Sequence, residues 1–188
     1  FGFETNLYKR HGYISYPVSA DLEVNNTAFP SITHSMAVST PASGITADLV
    51  DVGDGAEKDY ENQDVKGKAV LINGLATPGA VNMAEKAGAA AAVFINAAYT
   101  HEMIVSTVWG NPTLEKSEDY PEVPVLSVNY TDGQKIRELL DKEGSAVCKL
   151  QAKVETKWCE IPTLIADYKG TVDPDNYVLF SGHIDSWH

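Results

Sequence analysis

The eight residues SGHIDSWH, Ser181 to His188, hold the pattern with the most chemical potential in the chain. Neutral imidazole is a good zinc ligand, so His183 is a candidate to hold a metal. Asp185 follows two positions later and would share the same side of an extended chain. Its carboxylate could accept the other ring N–H of His183 and fix the tautomer. The apolar run YVLF just upstream reads as a buried strand that would deliver this pair to its end. By itself this pair of residues does not specify a metal site. With 5 His and 26 acidic residues in 188, a His-x-Asp by chance is common. One histidine is also not a site, because catalytic zinc takes three protein ligands and a base to activate water.

Other chemistries are weaker still. HEMIV (His101 to Val105) has the first two residues of a zinc-binding HExxH helix, but Val105 stands where the second His is needed. GDG (Gly53 to Gly55) is a turn and not a phosphate loop, since no GxxxxGK[ST] or GxGxxG follows a strand. No Gly-x-Ser-x-Gly elbow exists to support serine hydrolysis. EKDYENQD lacks the spacing of a calcium loop and reads as a solvated connector. His11 and His34 are isolated and are expected to be structural or on the surface. Cys148 and Cys159 lack CxxC spacing. They pair only if they fall on adjacent strands, and two unpaired thiols are the simpler expectation. Two Asn-x-Thr sequons begin at Asn25 and Asn129, and matter only in a glycosylating pathway.

The composition narrows the function classes. At 44% hydrophobic and 21% charged, the chain can bury a core. A net charge of −12 argues against nucleic acid or an anionic membrane as partner. No apolar run approaches the roughly 18 residues of a membrane span. The chain opens on Phe1, so the natural N-terminus is expected to be missing, and a secreted or cell-surface protein fits.

The elements that would position these residues follow from periodicity. Residues 1–30 read as a short helix or loop followed by one or two strands, and residues 31–44 as a polar linker. GITADLVDVG alternates as a strand, and KAVLING and AVFIN are short continuous apolar strands. Between the last two, Thr77 can cap a small-residue helix with Pro78 in its first turn. This strand–helix–strand unit predicts a parallel pair. A long loop precedes the strand VPVLSV. Thr131 is then expected to cap a helix that Gly144 ends. AVCKLQAKVET, LIADYKG and YVLFSGH read as three further strands, the last two joined by the turn TVDPDN. The fold class expected is α/β (α+β).

The stretch DVKGKAVLINGLATPGAVNMAEKAGAAAAVFIN resembles the protease-associated (PA) domain, and VPVLSVNYTDGQKIRELL resembles its last strand and helix. YVLFSGHIDSW is similar to the first metal-binding strand of the M28 family of zinc exopeptidases, in which a PA domain is often inserted. The resemblance implies a PA-type domain at 41–146, with a βαβ unit and an open β-barrel or sandwich. Residues 1–40 and 147–188 would then be strands of a truncated peptidase domain.

For the site, the resemblance implies that His183 is a potential zinc ligand in an incomplete site and Asp185 its outer carboxylate. The family's other ligands lie downstream, and His188 falls too early to be one. The chain by itself is therefore expected to lack a tight dizinc site and peptidase activity. Zinc belongs to the intact parent, and the partners are a peptide or protein substrate and the rest of the peptidase domain. His101 and Trp109, on the long loop, would bind substrate or gate the cleft; the alternative is a surface loop packing its own Met103, Ile104 and Trp109. A non-catalytic PA-type binding module, or a receptor-like relative, is the competing function.

Overall fold

The structure is a computed structural model that describes residues 2–61, 63–106 and 114–183. Its centre is a run of four parallel strands, β4 (Ile45–Asp51), β5 (Ala69–Asn73), β6 (Ala91–Ile95) and β7 (Val125–Val128). β5, β6 and β7 are nearly continuous apolar runs because both of their faces are covered. On β5 the alternation is explicit. Ala69 and Leu71 point into one cluster, and Val70 and Ile72 into the other.

One helix covers each face. Helix α2 (Pro78–Lys86) buries Val81 and Ala84 against Val70, Ile72, Ala92 and Phe94. Thr77 caps it as expected, its Oγ1 accepting from the Ala80 N–H at 3.4 Å. Helix α3 (Tyr130–Glu143) buries Ile136 against Leu71, Val93, Ile95 and Leu126. Its cap is Asn129, not Thr131: the Asn129 Oδ1 accepts from the Asp132 N–H at 2.9 Å. Asparagine is the stronger cap, and it sits one residue before the first helical position. Gly144 ends the helix in the left-handed region at φ 70°, where a side chain would be strained. Arg137 ties α3 to the end of β4, donating to Asp51 Oδ2 at 2.6 Å and Oδ1 at 3.2 Å. A third, single-turn helix, α1 (Glu57–Tyr60), lies in the connector expected to be irregular.

The remaining strands complete one mixed sheet of eight, in the order β2-β1-β8-β4-β5-β6-β7-β3. Strands β1 (Glu4–Val24) and β8 (Val147–Asp167) are each 21 residues long and pair antiparallel over nearly their whole length. Short β2 (Thr27–Phe29) and β3 (Ile32–Thr33) lie at the two ends of the order. The sheet curls until those ends approach. The Ser35 hydroxyl donates to the Ser15 carbonyl at 3.1 Å, and the Met36 N–H donates to Ser15 Oγ at 2.8 Å. The result is the mixed α/β, open-barrel architecture expected.

Beyond the barrel, β1 and β8 continue as a two-stranded ribbon. The changeover is a register shift between Pro17 and Ser19, which leaves Val18 without a partner across the pair. Proline is at home at such a bulge because it has no N–H to contribute. Paired residues share a face, so Leu7 with Leu164 and Tyr13 with Trp158 lie on one side. Ile165, and Ile161 lying over Gly12, lie on the other. Leu7 and Leu164 remain about three-fifths exposed, at 61% and 62%.

Several sequence expectations need correcting. The N-terminal residues form one continuous strand rather than a helix or loop, because the polar stretch Lys9–His11 is ribbon and has no core to face. Residues 31–44 are not a plain linker: they contain β3 and bury Thr33, His34, Met36 and Ala37. LIADYKG is mostly the end of β8. YVLFSGH forms no strand, and Tyr177 to Phe180 are exposed; no neighbouring ladder among the described residues offers these backbone groups a partner. Cys148 and Cys159 are free and sit on the same strand. Eleven residues of β-strand separate their Cα atoms by about 36 Å, far beyond disulfide reach.

Glycine positions give a direct test of the packing. A Cβ at Gly133 would overlap Ile95, whereas one at Gly79 in α2 meets nothing within 4 Å. Gly133→Val is expected to lower unfolding free energy by about 1–3 kcal/mol through overpacking. Gly79→Ala should raise it by about 0.5–1 kcal/mol through helix propensity. Urea midpoints of the two variants check the opposite signs.

Candidate functional site

The loop after β6 stands at the carboxyl end of the parallel strands, the edge where open α/β sheets present ligands. Its base is fixed by Asn96, which is buried. The Asn96 side chain donates to the Gly74 carbonyl at 2.8 Å and accepts from the His101 N–H at 2.7 Å. The next residues dock on the chain that follows β3. The Ser35 N–H donates to Glu102 Oε1 at 2.8 Å, and the Val105 N–H donates to the Ser35 carbonyl at 3.0 Å. Ser35 also forms an isolated parallel bridge with Ile104.

His34 completes this clasp from inside. It is fully buried, with Nε2 2.8 Å from the Ser127 hydroxyl. The Met103 N–H donates to its Nδ1 at 3.1 Å. Because Nδ1 accepts, the ring proton belongs on Nε2, which donates to Ser127 Oγ. The ring therefore cannot take a proton from that serine, and the pair is a clasp rather than a nucleophile and its base. Burial pushes the His34 pKa from its ordinary 6.5 down to about 4. The isolated His34 of the sequence thus proves structural and interior. No alternation marks it, since Thr33, Met36 and Ala37 are buried around it as well.

The expected site residues are spread out. His101 is exposed on the docked loop, its backbone held by Asn96. His183 is exposed in a segment with no strand. Asp185 and Trp109 lie outside the described residues. Among the described residues no three His, Cys, Asp or Glu side chains cluster to hold a metal ion. The described residues therefore do not make up a zinc centre by themselves, and no chemical step follows from them through a metal. No helix among the described residues is long and apolar enough to cross a membrane. The far end of the long loop reaches the ribbon, where Tyr120 stacks on Tyr13 with ring centroids 6.4 Å apart.

Comparison with known proteins places this geometry. A family model described as PA domain matches residues 45–136. Carboxypeptidase Q of Xenopus laevis is 25% identical over 162 residues, covering 80% of this chain and 34% of its own length. Carboxypeptidase Q of Mus musculus is 25% identical over 163 residues, covering 80% and 33%. The chain spans about a third of these curated relatives. Among solved structures, an aminopeptidase from an Aneurinibacillus strain superposes with TM-score 0.68 at 19% identity, over 94% of this chain and 41% of its own. A peptidase M28 precursor from Shewanella amazonensis gives TM-score 0.68 at 21% identity, over 100% and 46%. A zinc aminopeptidase from Bacillus subtilis gives 0.62 at 23%, over 90% and 38%. At these identities the structural likenesses show a shared fold.

The His34 clasp has a pH signature. Its folded pKa lies below its unfolded value, so its contribution is complete above pH 6.5 and declines as pH falls toward about 4. The lost stability integrates to about 3 kcal/mol for a shift of this size. Urea midpoints measured from pH 7 to pH 4 should show this decline. A His34→Gln variant, which cannot take up the proton, should show a shallower decline over the same interval.

Proposed function

With residues 45–136 forming a PA domain, we propose that this chain is the PA-bearing part of a zinc-dependent M28-like exopeptidase. The observation that carries the proposal is the ribbon. Strands β1 and β8 run well past the barrel with apolar side chains on both faces, and two strands alone are marginal in water. Such a ribbon fits a sheet of a second domain, and the matched stretch covers only about a third of the carboxypeptidase Q relatives. In this reading residues 1–40 and 147–188 belong to the peptidase side and 41–146 to the inserted domain.

His183 is then one zinc ligand, and Asp185 the carboxylate that orients it. When bound, zinc would polarise a peptide carbonyl and lower the pKa of a bound water. The remaining ligands come from residues beyond this chain. The docked loop, with His101 and Trp109, would border the cleft and contact or gate the peptide. By itself the chain acts as a peptide- or protein-binding module without hydrolysis. We place the parent outside the cytosol, secreted or at the cell surface; recovery of the tagged parent only from the cytosol would refute that placement.

The test compares this 188-residue chain with the same chain extended through the rest of its reading frame. Aminoacyl nitroanilides and blocked dipeptides serve as substrates, with and without zinc. Zinc-dependent release of terminal residues is expected only from the extended chain. There His183→Ala should lose metal and turnover, and Asp185→Asn should lower activity about 10- to 100-fold. Turnover by the short chain, or full zinc content and activity in extended His183→Ala, would overturn the proposal.

A further inference from the structure

Where the curled sheet fails to close, β1 and β3 leave a cavity of about 350 Å³. The two elements touch at Ser15, Ser35 and Met36 and then diverge. The gap is lined by Val18 and Ala20 from β1, Ser31 and Ile32 from the β3 side, and Thr100 and Glu102 from the docked loop.

Three features of this gap point to the same kind of ligand. First, it is bounded by two strand edges. Residues 17–20 of β1 pair with β8 on one side only, and Ile32–Thr33 pair only with β7 among the described residues. Alternate backbone groups of each strand face away from its partner and are available to a third strand. The bulge at Val18 opens this edge, as bulges do beside binding sites. Second, the Ser31 hydroxyl beside the gap is shielded and has no hydrogen-bond partner among the described residues. A hydroxyl in that state is costly, and a rotation toward the gap would let a ligand carbonyl satisfy it. Third, Glu102 is the only charged residue on the lining among the described residues. Its Oε1 accepts from the Ser35 N–H, which holds the carboxylate in place, and Oε2 has no partner among the described residues. A fixed carboxylate in a largely apolar cavity favours an ammonium group.

We infer that this gap binds the N-terminal two or three residues of an extended peptide. The peptide adds as a strand between β1 and β3, its α-ammonium group sits against Glu102, and its first side chain fills the apolar space by Ile32 and Val18. The inference deepens the reading of this chain as a peptide-binding module and rests on it.

The experiment titrates the 188-residue chain with the peptide Val-Thr-Val-Thr amide by calorimetry, and maps the bound surface by backbone NMR. The free-amine peptide should bind, with shifts at residues 17–20 and 31–33. N-acetylation should weaken binding at least about tenfold, the loss of one charged contact. Glu102→Gln should weaken the free-amine peptide to the level of the acetylated one, while Gln still accepts from Ser35 and keeps the loop docked. Val18→Trp, at the half-exposed bulge on the lining, fills the gap and should abolish binding with the circular dichroism unchanged. Acetyl-Val-Lys-Val amide tests a lysine side chain as the source of the cation. Binding of that peptide equal to the free-amine peptide would overturn the N-terminal assignment. Equal affinity for free and acetylated Val-Thr-Val-Thr, or no binding, would overturn the site. Shifts confined to the loop after β6 would overturn this site while leaving the peptide-handling reading intact. Zinc-dependent hydrolysis by the extended chain is independent of all these outcomes.

Discussion

The rest of the structure depends on β8 being hydrogen-bonded on both edges at once. On one side its first residues, Val147–Leu150, pair with β4 and so seal the open edge of the parallel run. On the other it pairs with β1, and through β1 with β2. The side chains record this double duty. Cys148, Leu150 and Ala152 are buried in alternation, and the same core cluster holds Leu22 and Val24 from β1. Without β8, β4 would present an unpaired edge and β1 would have no attachment to the domain. Past Val154 the alternation fades, and the same strand becomes the ribbon. One continuous backbone ladder thus serves a core at one end and leaves two faces bare at the other. Burial fades along the strand, while pairing with β1 continues on one edge past the bulge at Val18.

A second set of contacts works against the curl of the sheet and holds it. Ser15, Ser35, Glu102, His34 and Ser127 come from β1, the chain after β3, the long loop and β7. Nearly every polar group among them has a defined partner, which makes a buried network rigid rather than costly. The ring of His34 is central because its two nitrogens play opposite roles, accepting from the loop and donating to β7. The barrel therefore closes by side chain and loop at Ser15, and stays open one step further along, at Val18 and Ser31. The same geometry that docks the loop leaves the gap beside it.

How much of this could be read from sequence followed from where two-sided burial was strong. KAVLING, AVFIN and VPVLSV were legible as strands because their central residues are almost all apolar, and α2 was legible from Thr77, Pro78 and its small residues. The ribbon was not. Lys9, Arg10 and His11 break any apolar pattern, since no core lies against them, and only the partner strand 150 residues away defines them as β. Asn129 and Thr131 are both acceptable caps, and only the geometry of the first turn separates them. YVLF has the composition of a buried strand, yet composition specifies burial and not a partner. For the site, the sequence singled out residues that stay apart, His101 and His183. It gave no reason to connect His34, Ser127 and Met103, which lie far apart in the chain and meet only in the fold.

The exposed apolar surface is the link between fold and function. Isolated exposed hydrophobic residues are ordinary, but contiguous ones on both faces of a ribbon are not. Leu7, Leu164, Trp158, Ile161 and Ile165 form such a surface, and Tyr177 to Phe180 add a second apolar segment just before His183. Their common requirement is coverage by other apolar groups, since their own ladder already satisfies the ribbon's backbone and cannot bury its side chains. The same coverage would give the segment at Tyr177 the neighbouring strand it lacks among the described residues, and would fix His183 at its end. A metal ligand must be held within a fraction of an ångström to bind tightly, which a solvated segment does not achieve. The chemistry proposed for His183 therefore hangs on packing against the ribbon, whereas the gap between β1 and β3 is already framed by those two strands and the docked loop.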